Sequence, residues 1–186
     1  MIETYSEWSP RECGDVSVLD ALPSPWAATQ VRNIAHAIIV KEAPVHRDRL
    51  ARLVASAFGL SRVNEDRRRA IQRVIPVEFE RAGGHGFYWP HGADPQNWRV
   101  ARRPGDGSSR ALDEISLVEI SNAMAIVAEE TGGIQPEDIK REALALFGGR
   151  RRTQAINARL DDALRDGIAR GLLKESQSGN IVVSGR

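Results

Sequence analysis

Cysteine is almost missing from this chain of 186 residues: Cys13 stands alone. That excludes an intramolecular disulfide and a thiolate metal site, and it predicts a reducing compartment. Lysine is scarce, with three in all, and no G-x-x-x-x-G-K-[ST] run occurs, so no phosphate-loop NTPase is expected here. Aromatics make up 5%, which leaves Ile, Leu, Val and Ala to build the core. The longest apolar stretch, "IAHAIIV", is far short of the roughly 20 residues a membrane helix needs. The opening "MIETYSEWSP" carries acids where a secretory leader would be basic and then apolar. A cytoplasmic location without membrane contact is the expectation. A hydrophobic content of 41% and a charged content of 27% are those of an ordinary globular protein, long enough for one or two small domains.

What is present is a repeat. "AFGLSR" at 57–62 returns as "LFGGRR" at 146–151, an offset of 89. At that offset Val45 corresponds to Ile134, Leu50 to Ile139, Val54 to Ala143, Phe58 to Phe147 and Gly59 to Gly148. Arg62 corresponds to Arg151, Asn64 to Thr153, Ile71 to Leu160 and Ile75 to Leu164. Such a register without a gap predicts two copies of one supersecondary unit.

The second copy is the clearer. Ser116 with Glu119 three residues on forms a capping box, and the helix it opens should stop at Gly132-Gly133. Pro136 suits a first helical turn, and Ile139, Ala143, Leu146 and Phe147 form one apolar stripe. Thr153 caps a third helix with Ile156, Leu160, Ala163, Leu164 and Ile168 inward. "LLKE" and "IVVS" around "SQSGN" then form a hairpin. The first copy repeats the order: a helix from Ser24-Pro25, one carrying Leu50, Val54 and Phe58, and one from Asn64 with Ala70, Ile71, Val74 and Ile75 inward. His46 and Gln135 correspond and are both expected to cap. Pro76 cannot sit inside a helix without a lost bond and a clash. Either the helix ends at Ile75 and "VEFER" is a wing strand, or it kinks and runs to Arg81, with "GGHG" at 83–86 as the wing turn. "WRVARR" reads as a short strand.

The predicted fold is mainly α with small β-hairpin wings, a tandem winged-helix repeat related to the helix-turn-helix. Its parts are an extension 1–23, module 24–90, a Pro/Gly-rich linker 91–115 and module 116–185.

The runs "VHRDRLARLVASAFGLSR", "RVARRP", "LDEISLVEI" and "TGGIQPEDIKREALALFGGRRRT" resemble a conserved C-terminal region of large bacterial superfamily I DNA/RNA helicases, often following a Vsr-like endonuclease domain. The resemblance spans residues 30–185. It implies helicase or endonuclease company, in the same or a partner chain, and no chemistry of its own.

No catalytic residue, cofactor or metal is expected. His85 and His91 bracket "GFYWP" without carboxylate support and read as satisfied or solvated histidines. In "PEDIK", Asp138 and Lys140 are two apart on a helix and face different ways. The binding candidates are arginines. In a winged helix the third helix lies in the major groove, and in the first copy this leaves Arg68, Arg69, Gln72 and Arg73 outward, with Arg62 in the preceding turn. Arg and Gln read guanine and adenine edges, and Arg also holds phosphates. The bland alternative is a solvated face on which Glu65 and Asp66 pair with Arg69 and Arg73. In the second copy Arg150, Arg151 and Arg152 crowd a helix start, where an anion would be welcome, but Asp161 and Asp162 follow. Residues 31–104 carry fourteen Lys or Arg against seven acids, and residues 105–186 eleven against thirteen, so the first copy is the expected DNA binder. Duplex or forked DNA is the expected partner, with RNA open. The rival reading is a docking module that holds a helicase or nuclease body.

Overall fold

The computed structural model describes residues 1–9, 13–79 and 86–185. In chain order come β1 (Ile2–Thr4), α1 (Ser17–Asp20), α2 (Pro25–Glu42), β2 (Val45–His46), α3 (Arg47–Ala57), α4 (Glu65–Val74) and β3 (Phe87–Tyr88). Then follow β4 (Ala101–Arg103), α5 (Leu117–Thr131), α6 (Pro136–Leu146), α7 (Gln154–Ala169), β5 (Leu173–Glu175) and β6 (Ile181–Val183). Among the described residues the architecture is mainly helical, with three two-stranded sheets. Among the described residues no helix is long and apolar enough to cross a membrane.

The chain forms two compact units, residues 7–93 and residues 1–6 together with 94–186. The first unit is therefore inserted, in sequence, between two strands of the second. β1 and β4 run parallel, with Ile2 opposite Ala101 and Thr4 opposite Arg103. Parallel strands require a long crossover, and here the crossover is a whole unit. The expected strand in "WRVARR" exists, but its partner is the head of the expected extension. Likewise, residues 94–115 are not a plain linker: they supply β4 and a 3-10 turn at Leu112–Glu114.

The repeated phrase has a backbone cause. α3 and α6 both end on a phenylalanine cap, followed by Gly59 at φ 82° and Gly148 at φ 78°. Only glycine enters that left-handed region freely. A Cβ on Gly59 would meet nothing within 4 Å, and one on Gly148 only Pro104 at 3.4 Å. Gly59→Ala and Gly148→Ala should therefore each cost about 1–2 kcal/mol, a purely backbone penalty, readable as a lower urea midpoint at unchanged slope.

In unit 7–93 the helix starts are those the sequence marks. Pro25 sits in the first turn of α2, His46 Nδ1 accepts the Asp48 N–H at 3.3 Å, and Asn64 Oδ1 accepts the Arg67 N–H at 2.9 Å. Ile38, Leu50, Val54, Phe58 and Ile71 fill the core. At Pro76 the helix ends as the first alternative has it, on Ile75 as cap, but the wing strand expected to follow does not form over Val77–Phe79. α4 stops at Val74, and Ile75 is extended (φ −71°, ψ 131°), the conformation a residue before proline prefers. Val77–Phe79 is then a 3-10 turn, not a strand. Residues 80–85, which hold the rest of "VEFER" and most of "GGHG", lie outside the described residues. The strand that closes the unit is β3, with Val45 opposite Tyr88.

In unit 94–186, Ile120, Met124, Ile139, Leu160 and Leu173 form the core. β5 and β6 pair antiparallel as expected. Ile134, the counterpart of Val45, bridges Ile181, so in both copies the residue before the second helix joins the closing strand. Two details differ from expectation. Ile168 is 43% exposed, because the inward position of that turn is Gly167, where a Cβ would come within 2.9 Å of Leu173 and 3.2 Å of Ser121. Ser116 does cap α5, accepting the Glu119 N–H at 3.1 Å, but the Glu119 carboxylate turns inward. Fully buried, it takes Arg102 at 2.8 Å and Arg110 at 2.7 Å. The Arg102 backbone N–H adds a bond at 2.9 Å. Tyr5 covers this cluster, its ring centre 4.1 Å from the Arg110 guanidinium and 5.5 Å from that of Arg102.

Candidate nucleic-acid interface

The face of α4 that matters is defined by what it buries. Ile71 and Val74 enter the core of unit 7–93, which turns Arg68, Arg69, Gln72 and Arg73 away from it. Arg62 is exposed in the turn ahead of the helix. Arg32 anchors the far end, its Nε donating to the Val74 carbonyl at 2.8 Å, a cation where a helix dipole favours one.

These side chains are not equivalent. Arg62 and Arg73 are exposed and make no ion pair with any described residue. Arg69 is 60% exposed and holds Glu65 at 2.8 Å. Arg68 is shared between Glu65 and Asp48, the latter at 3.5 Å. Gln72 donates from Nε2 to Asp48 Oδ1 at 3.0 Å. Asp48 comes from α3, so one carboxylate of the neighbouring helix gathers two of the expected contact residues. The sequence carries no mark of this role, because an acid in a first helical turn is what the dipole alone predicts.

In unit 94–186 the three arginines also divide. Arg150 and Arg151 are exposed without an ion pair to described residues. Arg152 is held by Glu137 at 2.8 Å and by Asn157 at 2.6 Å. The acids of α7 are engaged: Asp161 takes Lys140 at 2.7 Å and Asp162 pairs with Arg165. Burial would lower the Lys140 ammonium, but Asp161 and Glu137 outweigh it and hold it above its ordinary value. Asp138 takes Arg141 at 2.6 Å, so Asp138 and Lys140 do face different ways. Much of the remaining polar face of α7 holds its own unit together. Arg159 donates to the carbonyls of Leu112 and Ile115, and Arg170 to those of Trp98 and Val118. Burial lowers both guanidinium groups from their ordinary value.

Of the corresponding caps, His46 performs as expected, whereas Gln135 instead donates to Asn180 Oδ1 at 2.6 Å. His85 lies outside the described residues. Among those described, no group of three or more His, Cys, Asp or Glu could hold a metal.

The charge contrast between the copies shrinks once the units are drawn by contact. Residues 7–93 carry twelve Lys or Arg against ten acids, and the remainder fourteen against fifteen. Two acids of the expected extension are used inside the first unit: Asp20 pairs with Arg67 and Glu7 with Arg49. What distinguishes unit 7–93 is thus the local face of α4, not its net charge.

In comparison with known families, residues 20–69 match a family described as a protein of unknown function, DUF3320. The match covers α2, α3 and the first half of α4, and stops before Gln72 and Arg73. No curated protein and no solved structure matches.

Proposed function

We propose that this chain is a non-catalytic nucleic-acid-binding region made of two winged-helix units, the accessory part of a superfamily I helicase or helicase–endonuclease assembly. The single observation that supports it is the outward face of α4, where Arg69 and Arg73, with Arg62 in the turn, stand free of the core beside Gln72 and Arg68. The winged-helix reading draws on the order of three helices and a closing ladder, and on Val45 and Ile134 both joining the last strand of their units. The helicase company draws on the resemblance alone, which is analogy. α7 contributes less, because Arg159 and Arg170 are spent within their own unit.

The test is binding to labelled duplex, single-stranded and forked DNA across a salt series. Each phosphate contact steepens the log–log salt slope by roughly one unit. Arg69→Glu with Arg73→Glu should weaken binding to all sequences and flatten the slope by about two units. Arg151→Glu with Arg152→Glu should cost less, since Arg152 is already occupied by Glu137. Circular dichroism checks folding, which both pairs should leave intact.

A second reading, protein docking, has its own observation. α2 exposes Trp26 and Val40 as single apolar residues, with Gln30 and Asn33 between them on that side of the helix, and a tryptophan is the kind of anchor a protein partner uses. It takes over if neither arginine pair alters binding.

A further inference from the structure

Resting on the nucleic-acid reading above, the structure assigns Asp48 as a positioning residue that sets the base-reading polarity of Gln72 for adenine in a duplex major groove. The number of hydrogen-bond sites fixes this polarity. A glutamine amide carries two N–H donors and one carbonyl acceptor, and it can be turned end for end. A carboxylate only accepts, so the Asp48 Oδ1 at 3.0 Å obliges Gln72 to face it with Nε2. One N–H is thereby consumed. The other N–H and the Oε1 remain, and no described residue takes either. That residual pair is complementary to adenine, whose N7 accepts and whose N6 donates on the major-groove edge, and it mismatches guanine, where N7 and O6 both accept.

Asp48 is itself held. Its own N–H is tied to His46 Nδ1 at 3.3 Å, and its second oxygen, Oδ2, lies 3.5 Å from Arg68 Nη1. Arg68 is braced on its other side by Glu65. Gln72 thus stands on α4 with a rotamer fixed by a neighbouring helix, the supporting shell that a precise contact needs. On this assignment Arg68 is part of the brace, while Arg62, Arg69 and Arg73 supply phosphate contacts.

Asp48→Asn is the informative change, because asparagine keeps the shape but can donate as well as accept. Gln72 could then turn over and offer two donors outward, which suits guanine. The experiment presents the full chain with a pool of duplexes randomised over a short core and sequences the bound fraction. Wild type should enrich an adenine at one position by roughly 5- to 150-fold over guanine, the range of one good bidentate contact. Asp48→Asn should collapse that preference and admit guanine, and Gln72→Ala should abolish it. Neither change should flatten the log–log salt slope, since phosphate contacts set that slope and carry no sequence. A merely structural tie between α3 and α4 would lower the melting temperature and leave base preference alone. Wild-type binding without adenine enrichment, or enrichment that survives Asp48→Asn, overturns this assignment while leaving the basic face in place. Absence of duplex binding by wild type overturns the nucleic-acid reading and this inference with it.

Discussion

Glu119→Ala is expected to destabilise unit 94–186 by about 3–5 kcal/mol, the usual result of removing one partner from a buried ion pair. The cause is what stays behind. Arg102 and Arg110 have side chains only 8% and 4% exposed, and without the carboxylate their charges face each other with no water to screen them. Amide hydrogen exchange would localise the loss: protection should fall along α5 and β4 and persist along α2 and α3. The same carboxylate predicts a pH dependence. Burial alone would raise its pKa, but Arg102 and Arg110 outweigh burial and hold it below the ordinary 4.5. The folded value therefore lies below the unfolded one, so the stabilisation is fully present above pH 4.5 and drains away as pH falls through the folded value. Urea midpoints measured from pH 6 downward should fall more steeply in wild type than in Glu119→Gln. Parallel curves would mean that the carboxylate is not the group titrating.

Tyr5→Ala should cost a similar amount, about 3–5 kcal/mol for an aromatic truncated in a core. Tyr5 is 2% exposed, its N–H donates to the Arg103 carbonyl at 2.8 Å, and its ring face lies against two cations. The informative readout is again where protection is lost. Tyr5 stands two residues before unit 7–93 begins, yet the loss should appear at β4 and α5, about a hundred residues away. A loss confined to α2–α4 would contradict the division of the chain. Because Tyr5 and Glu119 share Arg110, the double variant should lose less than the two costs added together.

The helix starts and stops were legible because their signals are local. Asn64, Ser116 and Thr153 each sit next to the orphan N–H they accept, and Gly59, Gly132 and Gly148 are the residues that the left-handed position admits. The arginine face of α4 was legible for the same reason, since a period of 3.6 separates it from Ile71 and Val74. Failures came where distant residues decide. Two three-residue strands, β1 and β4, carry no alternation long enough to announce a sheet. At Pro76 the helix end is where the proline puts it, but the residues after it form a 3-10 turn where a strand is expected. Ile168 keeps the helical period, but Leu173 arrives from the hairpin and occupies the space at Gly167. Glu119 bears the mark of a capping box, and nothing near it in sequence foretells Arg102. Asp48 is the instructive miss on the candidate interface, for its importance lies in a contact across two helices.

The threading of the chain has a consequence in time. Ile2 and Ala101 are neighbours in one sheet and 99 positions apart in synthesis. A ribosome adding roughly 5–20 residues per second separates them by about 5–20 s. By the end of that interval every strand and helix of the α2–α4 core has been made, so that core can be completed while Tyr5 and β1 wait in water. They gain their partners only when Arg102, Arg110 and α5 have emerged. β1 therefore becomes ordered late, and a newborn chain passes through a stage in which α2–α4 are folded and β1 is an unpaired edge, open to any other chain with a strand to offer.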